Sequence, residues 1–80
     1  MSKPWFLYML IDDDGNLYIG ITQNPKERLA KHRRARGTMH TTKLHNPRLA
    51  YLEEHPTREH ASQREKTLKH WPRAKKLALI

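Results

Sequence analysis

Between Trp5 and Ile11, apolar and aromatic residues occupy both sets of alternating positions, the pattern of a strand covered on two faces rather than one. Asp12-Asp13-Asp14-Gly15-Asn16 then concentrates residues that accept left-handed backbone angles, so a turn and a hairpin are predicted. In the return strand Leu17, Ile19 and Ile21 share one face while Tyr18, Gly20 and Thr22 share the other. The Tyr18 face is the one left available for chemistry.

Asn24-Pro25-Lys26-Glu27 reads as a helix start, with Asn24 as N-cap, Pro25 at the first helical position and Glu27 placed to return the capping bond. This helix is expected to run to about Arg36 and to stop at Gly37. Within it Arg28 and His32 lie four apart on one face, flanked by Leu29 and Ala30, which would dock the helix on the sheet. From Gly37 to Pro47 neither helical nor strand periodicity is present, and a loop is expected. Arg48 to Glu53 fits a short third strand that ends before Pro56. Thr57 can cap a second helix from about Arg58 to His70, and Pro72 fits the first turn of a last helix reaching the C-terminus. The order β-β-α-β-α-α predicts an α+β fold, a three-stranded antiparallel sheet flanked by helices.

Eighty residues make one domain spanning 1–80, and a chain of that size buries only about 60% of the surface its unfolded form exposes. It contains no cysteine, so any metal must be held by oxygen or imidazole ligands. No apolar run approaches the roughly 20 residues that cross a bilayer, so no membrane association is expected. The start, Met-Ser-Lys-Pro-Trp, lacks the apolar stretch of a signal peptide, and the expected location is the cytoplasm.

Charge narrows the partner. Sixteen Lys and Arg stand against eight Asp and Glu, a formal net charge of +8, and such an excess attracts polyanions, above all phosphate backbones. A ribosomal-type or merely solubilising surface would carry the same excess, so charge alone names no reaction. Lys31, Arg33, Arg34, Arg36, Lys43 and Arg48 lie in or near the first helix and its loop, where they would contact phosphates without reading bases; Lys69 adds a further cation.

The second helix holds a conflict. Ala61, Glu65 and Leu68 follow the spacing i, i+4, i+7, which sets a carboxylate in the stripe that must face the core. A carboxylate taken from water needs a partner, and Lys69, Arg28 or a metal ion could supply it.

Leu7-Tyr8-Met9-Leu10 and Leu17-Tyr18-Ile19-Gly20-Ile21-Thr22, followed by Glu27-Arg28-Leu29-Ala30-Lys31-His32 and then by Ala61, Glu65 and Lys69, resemble the defining pattern of the GIY-YIG nuclease family. The resemblance runs from about Phe6 to the C-terminus and is similar to small stand-alone members grouped with the catalytic domain of the excision-repair nuclease and with the Slx-type nucleases. The first triplet is Phe6-Leu7-Tyr8 and keeps only the tyrosine. The resemblance implies a metal-dependent DNA endonuclease, one that acts on branched, nicked or flapped DNA in repair or recombination. Tyr8 and Tyr18 are then the paired tyrosines, Gly20 the motif glycine, Arg28 the phosphate clamp, and His32 a group that orients a tyrosine or shares a proton relay. Glu65 is the ligand of one Mg²⁺ or Mn²⁺.

The chemistry of phosphodiester hydrolysis suits those residue types. Arg offers a planar fork to two phosphate oxygens, and a hard cation that keeps its waters can be held by one carboxylate. A tyrosine is a poor base near neutral pH unless cations lower its pKa, which Arg28 plus a metal would do; either tyrosine could be the base. His40, His45, His55, His60 and His70 are scattered without zinc-site pairing, and Trp71 is expected to pack between two helices rather than stack on a base. The rival reading is a nucleic-acid-binding module of the same fold that does not cut, or cuts only with a protein partner.

Overall fold

The computed structural model describes residues 3–34 and 44–80, with Arg34 given by its backbone alone. Its elements follow the predicted order: β1 (Trp5–Ile11), β2 (Leu17–Thr22), α1 (Pro25–Arg34), β3 (Arg48–His55), α2 (Arg58–Lys69) and α3 (Arg73–Leu77). The strands form one antiparallel sheet in the order β2-β1-β3. The central place of β1 explains why its sequence is apolar at every position: both edges are paired and both faces lie against other groups.

The hairpin turn is built on Asp12. Its buried carboxylate accepts hydrogen bonds from the amides of Asp14 (3.0 Å), Asn16 (2.7 Å) and His45 (3.0 Å) and from the Asn16 side chain (3.1 Å). Gly15 takes the positive φ of 82° that the turn demands. One carboxylate therefore closes the hairpin and ties to it the segment leading into β3.

At the start of α1, Asn24 Oδ1 accepts from the Glu27 amide (3.3 Å), and Glu27 Oε2 accepts from Asn24 Nδ2 (3.0 Å). The return bond thus reaches the Asn24 side chain, because the Asn24 amide is already given to Thr22 Oγ1 at 3.1 Å. Thr57 caps α2 as expected, its hydroxyl accepting from the His60 amide. The end of α1 expected at Arg36 and Gly37 lies outside the described residues.

Two lengths differ from expectation. β3 continues to His55, since Glu54 and His55 find partners in Phe6 and Trp5 of β1, and it stops only at Pro56. The last helix is five residues, with Pro72 before it as N-cap and Ala78 after it as C-cap, so it stops short of the C-terminus.

The core lies on the face of the sheet covered by α2. Leu7, Met9 and Ile19 pack with Leu68 there, bordered by Leu17, Ile21, Tyr51, Trp71 and Leu79. Ala61 is also fully buried, as the stripe on α2 requires. Strand alternation then sends Tyr8, Tyr18 and Gly20 to the opposite face, toward α1. Leu29 and Ala30 of α1 are half-buried, in keeping with the docking role expected of them.

Candidate active site

Tyr8 and Gly20 are direct cross-strand partners, and Leu10 and Tyr18 form the next pair but one. The Tyr8 ring lies across Gly20: a Cβ there would sit 2.5 Å from the Tyr8 hydroxyl oxygen and 2.7 Å from its ring carbon Cζ. Glycine is needed at that position for space rather than for backbone conformation. The Tyr18 ring stands 6.1 Å from that of Tyr8, centroid to centroid.

α1 brings His32 onto this pair. Its Nε2 is 3.0 Å from the Tyr8 hydroxyl, and its ring meets Tyr18 edge-on at 4.8 Å. Arg28, one helical turn earlier, acts on both Tyr8 and His32 through its charge. The i, i+4 spacing that sets Arg28 above His32 and the period-two spacing that aligns the tyrosines thus converge on one point.

Protonation follows from burial. Tyr8 is 2% exposed; burial and then the neighbouring Tyr18 push its phenol well above the usual value, and the opposing pull of Arg28 is outweighed. Burial first, and Arg28 second, push His32 below its usual value. Tyr8 is therefore protonated and His32 neutral at pH 7, which makes Tyr8 the donor and Nε2 the acceptor and leaves the ring proton on Nδ1. Arg28 alone does not turn Tyr8 into a base.

Glu65 lies on α2. Its carboxylate, 20% exposed, pairs with Lys69 Nζ at 3.3 Å, Lys69 being one of the partners its sequence position allowed. Lys69 links it toward the tyrosines, because a depression of about 260 Å³ on the free edge of β2 is lined by Leu17, Tyr18, Ile19, Lys69 and Lys76. Among the described residues no group of three or more His, Asp or Glu could hold a metal ion. The donor set on offer is a single, partly open carboxylate whose neighbour is a lysine 55% exposed. That fits a hard divalent cation that keeps most of its waters.

The expected basic surface is only partly available. Lys31 and Arg33 are exposed on α1, and Arg33 donates to the neutral Pro47 carbonyl at 3.1 Å, with no carboxylate partner among the described residues. Arg48 instead pairs with Asp13 at 3.1 Å, and Lys69 with Glu65. The Arg34 side chain, Arg36 and Lys43 lie outside the described residues. Trp71 packs against the core, as expected.

Three features escaped the sequence. Lys76 lines the β2 edge. Glu53 accepts from Tyr51 (2.6 Å), His55 (2.6 Å) and Arg64 (3.0 Å), which ties α2 to β3. Trp5 lines a second depression with Arg28 and Lys31. A tryptophan at the head of an apolar run reads as core, and cross-element polar partners leave no local pattern.

The family model described as the GIY-YIG catalytic domain matches residues 4–78. A UPF0213 protein of Xanthomonas campestris is 44% identical over 80 residues, covering 98% of this chain and 76% of its own, and one from Staphylococcus aureus is 36% identical over 75 residues, covering 94% and 92%. The solution NMR structure of a UPF0213 protein from Bacillus halodurans superposes with a TM-score of 0.60 at 32% identity, covering 95% of this chain and 81% of that one. With the family model matching residues 4–78, nearly the whole chain, the chain belongs to the GIY-YIG family.

Proposed function

We propose that this protein is a metal-dependent endonuclease that hydrolyses phosphodiester bonds in DNA, with Tyr8, Tyr18, Arg28, His32 and Glu65 as its catalytic residues. The observation that carries the reading is the bond from a buried, protonated Tyr8 to a neutral His32, beside Tyr18 and within reach of the Arg28 charge. A structural role needs neither a histidine held neutral by burial nor a guanidinium beside it. Proton transfer next to a phosphate uses both.

In this reading Tyr18, half-buried, is the outer tyrosine and meets the attacking water; Tyr8 is the inner one. The water oxygen bonds to phosphorus while its proton passes through Tyr18 to the Tyr8 oxygen, and the Tyr8 proton passes to Nε2 of His32. The bond from phosphorus to the leaving oxygen breaks, and that oxygen takes a proton from solvent. Arg28 clamps the non-bridging oxygens, where negative charge grows. Nucleases of this family use a divalent metal ion; held by Glu65, it would supply Lewis-acid stabilisation of the phosphoryl and leaving oxygens. Lys69, itself exposed, must release Glu65 for that, and an i, i+4 helix pair of this kind is worth only about a few tenths of a kcal/mol.

The test is a labelled panel of duplex, single-stranded, flap and four-way-junction DNA incubated with Mg²⁺ or Mn²⁺. Cutting that EDTA abolishes is expected, and the panel identifies the preferred structure. Binding without cutting on every substrate and metal would overturn the proposal in favour of a non-catalytic or partner-dependent module, a reading that the pairing of Glu65 with Lys69 favours.

A further inference from the structure

Among the described residues, the core cluster engages one of the two tryptophans and not Trp5. Trp71 packs against the central cluster, whereas Trp5, at the head of β1, is absent from it. Its ring is instead held by Arg58 of α2, whose guanidinium carbon stands 5.6 Å from the ring centroid. At the end of the sheet where β1 begins and β2 ends, Trp5 lines a depression of about 210 Å³ with Thr22, Gln23, Asn24, Glu27, Arg28 and Lys31, the Glu27 carboxylate being engaged by the Asn24 side chain. That volume is below the ~300 Å³ at which pockets for drug-sized ligands begin, and suits one planar ring system.

The depression and the Tyr8 cluster have Arg28 in common. The start of α1 is already closed by the reciprocal Asn24–Glu27 bonds, so the depression offers side chains rather than free amides. The Trp5 ring can stack on a base, the Gln23 side-chain amide can bond a base edge, and Arg28 and Lys31, two cations against the single Glu27 carboxylate, can neutralise a phosphate. We propose that Trp5 is a stacking platform for an unpaired nucleobase whose own phosphate lies on Arg28, so that the protein engages single-stranded or frayed DNA next to the bond it cuts. This rests on the nuclease reading above and narrows its substrate to strands with an unpaired base at the site, since a base held in a duplex cannot reach the ring.

The test measures affinity in EDTA for a labelled single-stranded oligonucleotide and for a blunt duplex of the same sequence, using wild type, Trp5→Ala and Trp5→Phe. Removing one stacking ring in Trp5→Ala should weaken single-strand binding roughly tenfold, Trp5→Phe should weaken it much less, and duplex binding should barely change. In a Trp71→Phe background, Trp5 emission should be quenched by the single strand, a readout that needs no change at Trp5 itself. Unchanged single-strand affinity in Trp5→Ala with no quenching would overturn the platform while leaving the nuclease reading intact, as would equal loss on both DNAs without quenching. Failure of wild type to bind either DNA would instead remove the nucleic-acid reading, and the platform with it.

Discussion

At the scale of single residues, the site depends on one absent methyl group and one absent proton. Gly20→Ala would bring a Cβ within 2.5 Å of the Tyr8 hydroxyl; the ring must move, and overpacking of this kind costs about 1–3 kcal/mol. We expect a lower denaturant midpoint together with loss of cleavage, both measured on one preparation. The proton concerns His32. Its folded pKa lies below its unfolded value of 6.5, so the unfolded chain binds more protons as the solution is acidified. The stability this group contributes is present above about pH 6.5 and is lost as pH falls through the lowered folded value. A protonated His32 also cannot accept from Tyr8, so cleavage should fall on the acid side, and His32→Gln should flatten that limb of the pH profile. The positions of Tyr8, Tyr18, Arg28 and His32 were legible in the sequence because strand and helix periods are local rules. Their protonation was not, because it depends on how deeply Tyr8 is covered by groups remote in the chain.

Among the elements, acidic side chains do the joining, Asp12 buried and Glu53 partly buried. Asp12 accepts four hydrogen bonds from the hairpin and from His45. Burial alone would raise its pKa, but the His45 amide and the Asn16 and Asp14 donors outweigh it and hold the carboxyl at about 2. The stability it contributes is present above the unfolded value of 3.8 and is lost as pH falls through about 2. Asp12→Ala should leave several donors unmatched and lower stability by about 1–3 kcal/mol, read from urea denaturation at pH 7. Glu53 acts in the same way between β3 and α2. Burial would raise it, yet the donors Tyr51, His55 and Arg64 hold it below the usual carboxylate range. The element order was legible from turn residues and caps, and the α2 stripe from Ala61 and Leu68. The extension of β3 to His55 was not, since Glu54 and His55 have little strand character of their own and are held by Phe6 and Trp5.

At the scale of the whole molecule, a net charge of +8 is distributed so that part of it is matched internally and part is left for a partner. Arg48 and Lys69 face carboxylates, while among the described residues Lys31 and Arg33 do not. DNA binding should weaken steeply with salt, by about 0.9 in log affinity per log unit of salt for each duplex phosphate neutralised. A salt-insensitive complex would contradict a backbone-contacting surface. The measurement that bears most directly on the central claim is the single-turnover cleavage rate of Glu65→Ala and Arg28→Ala beside wild type in Mg²⁺, with DNA affinity determined for each. We predict that Glu65→Ala abolishes cutting while affinity stays within about twofold, and that Arg28→Ala slows the step by several kcal/mol of lost transition-state stabilisation. Cleavage that survives Glu65→Ala, or affinity that falls as far as the rate, would contradict a hydrolytic site built from these residues.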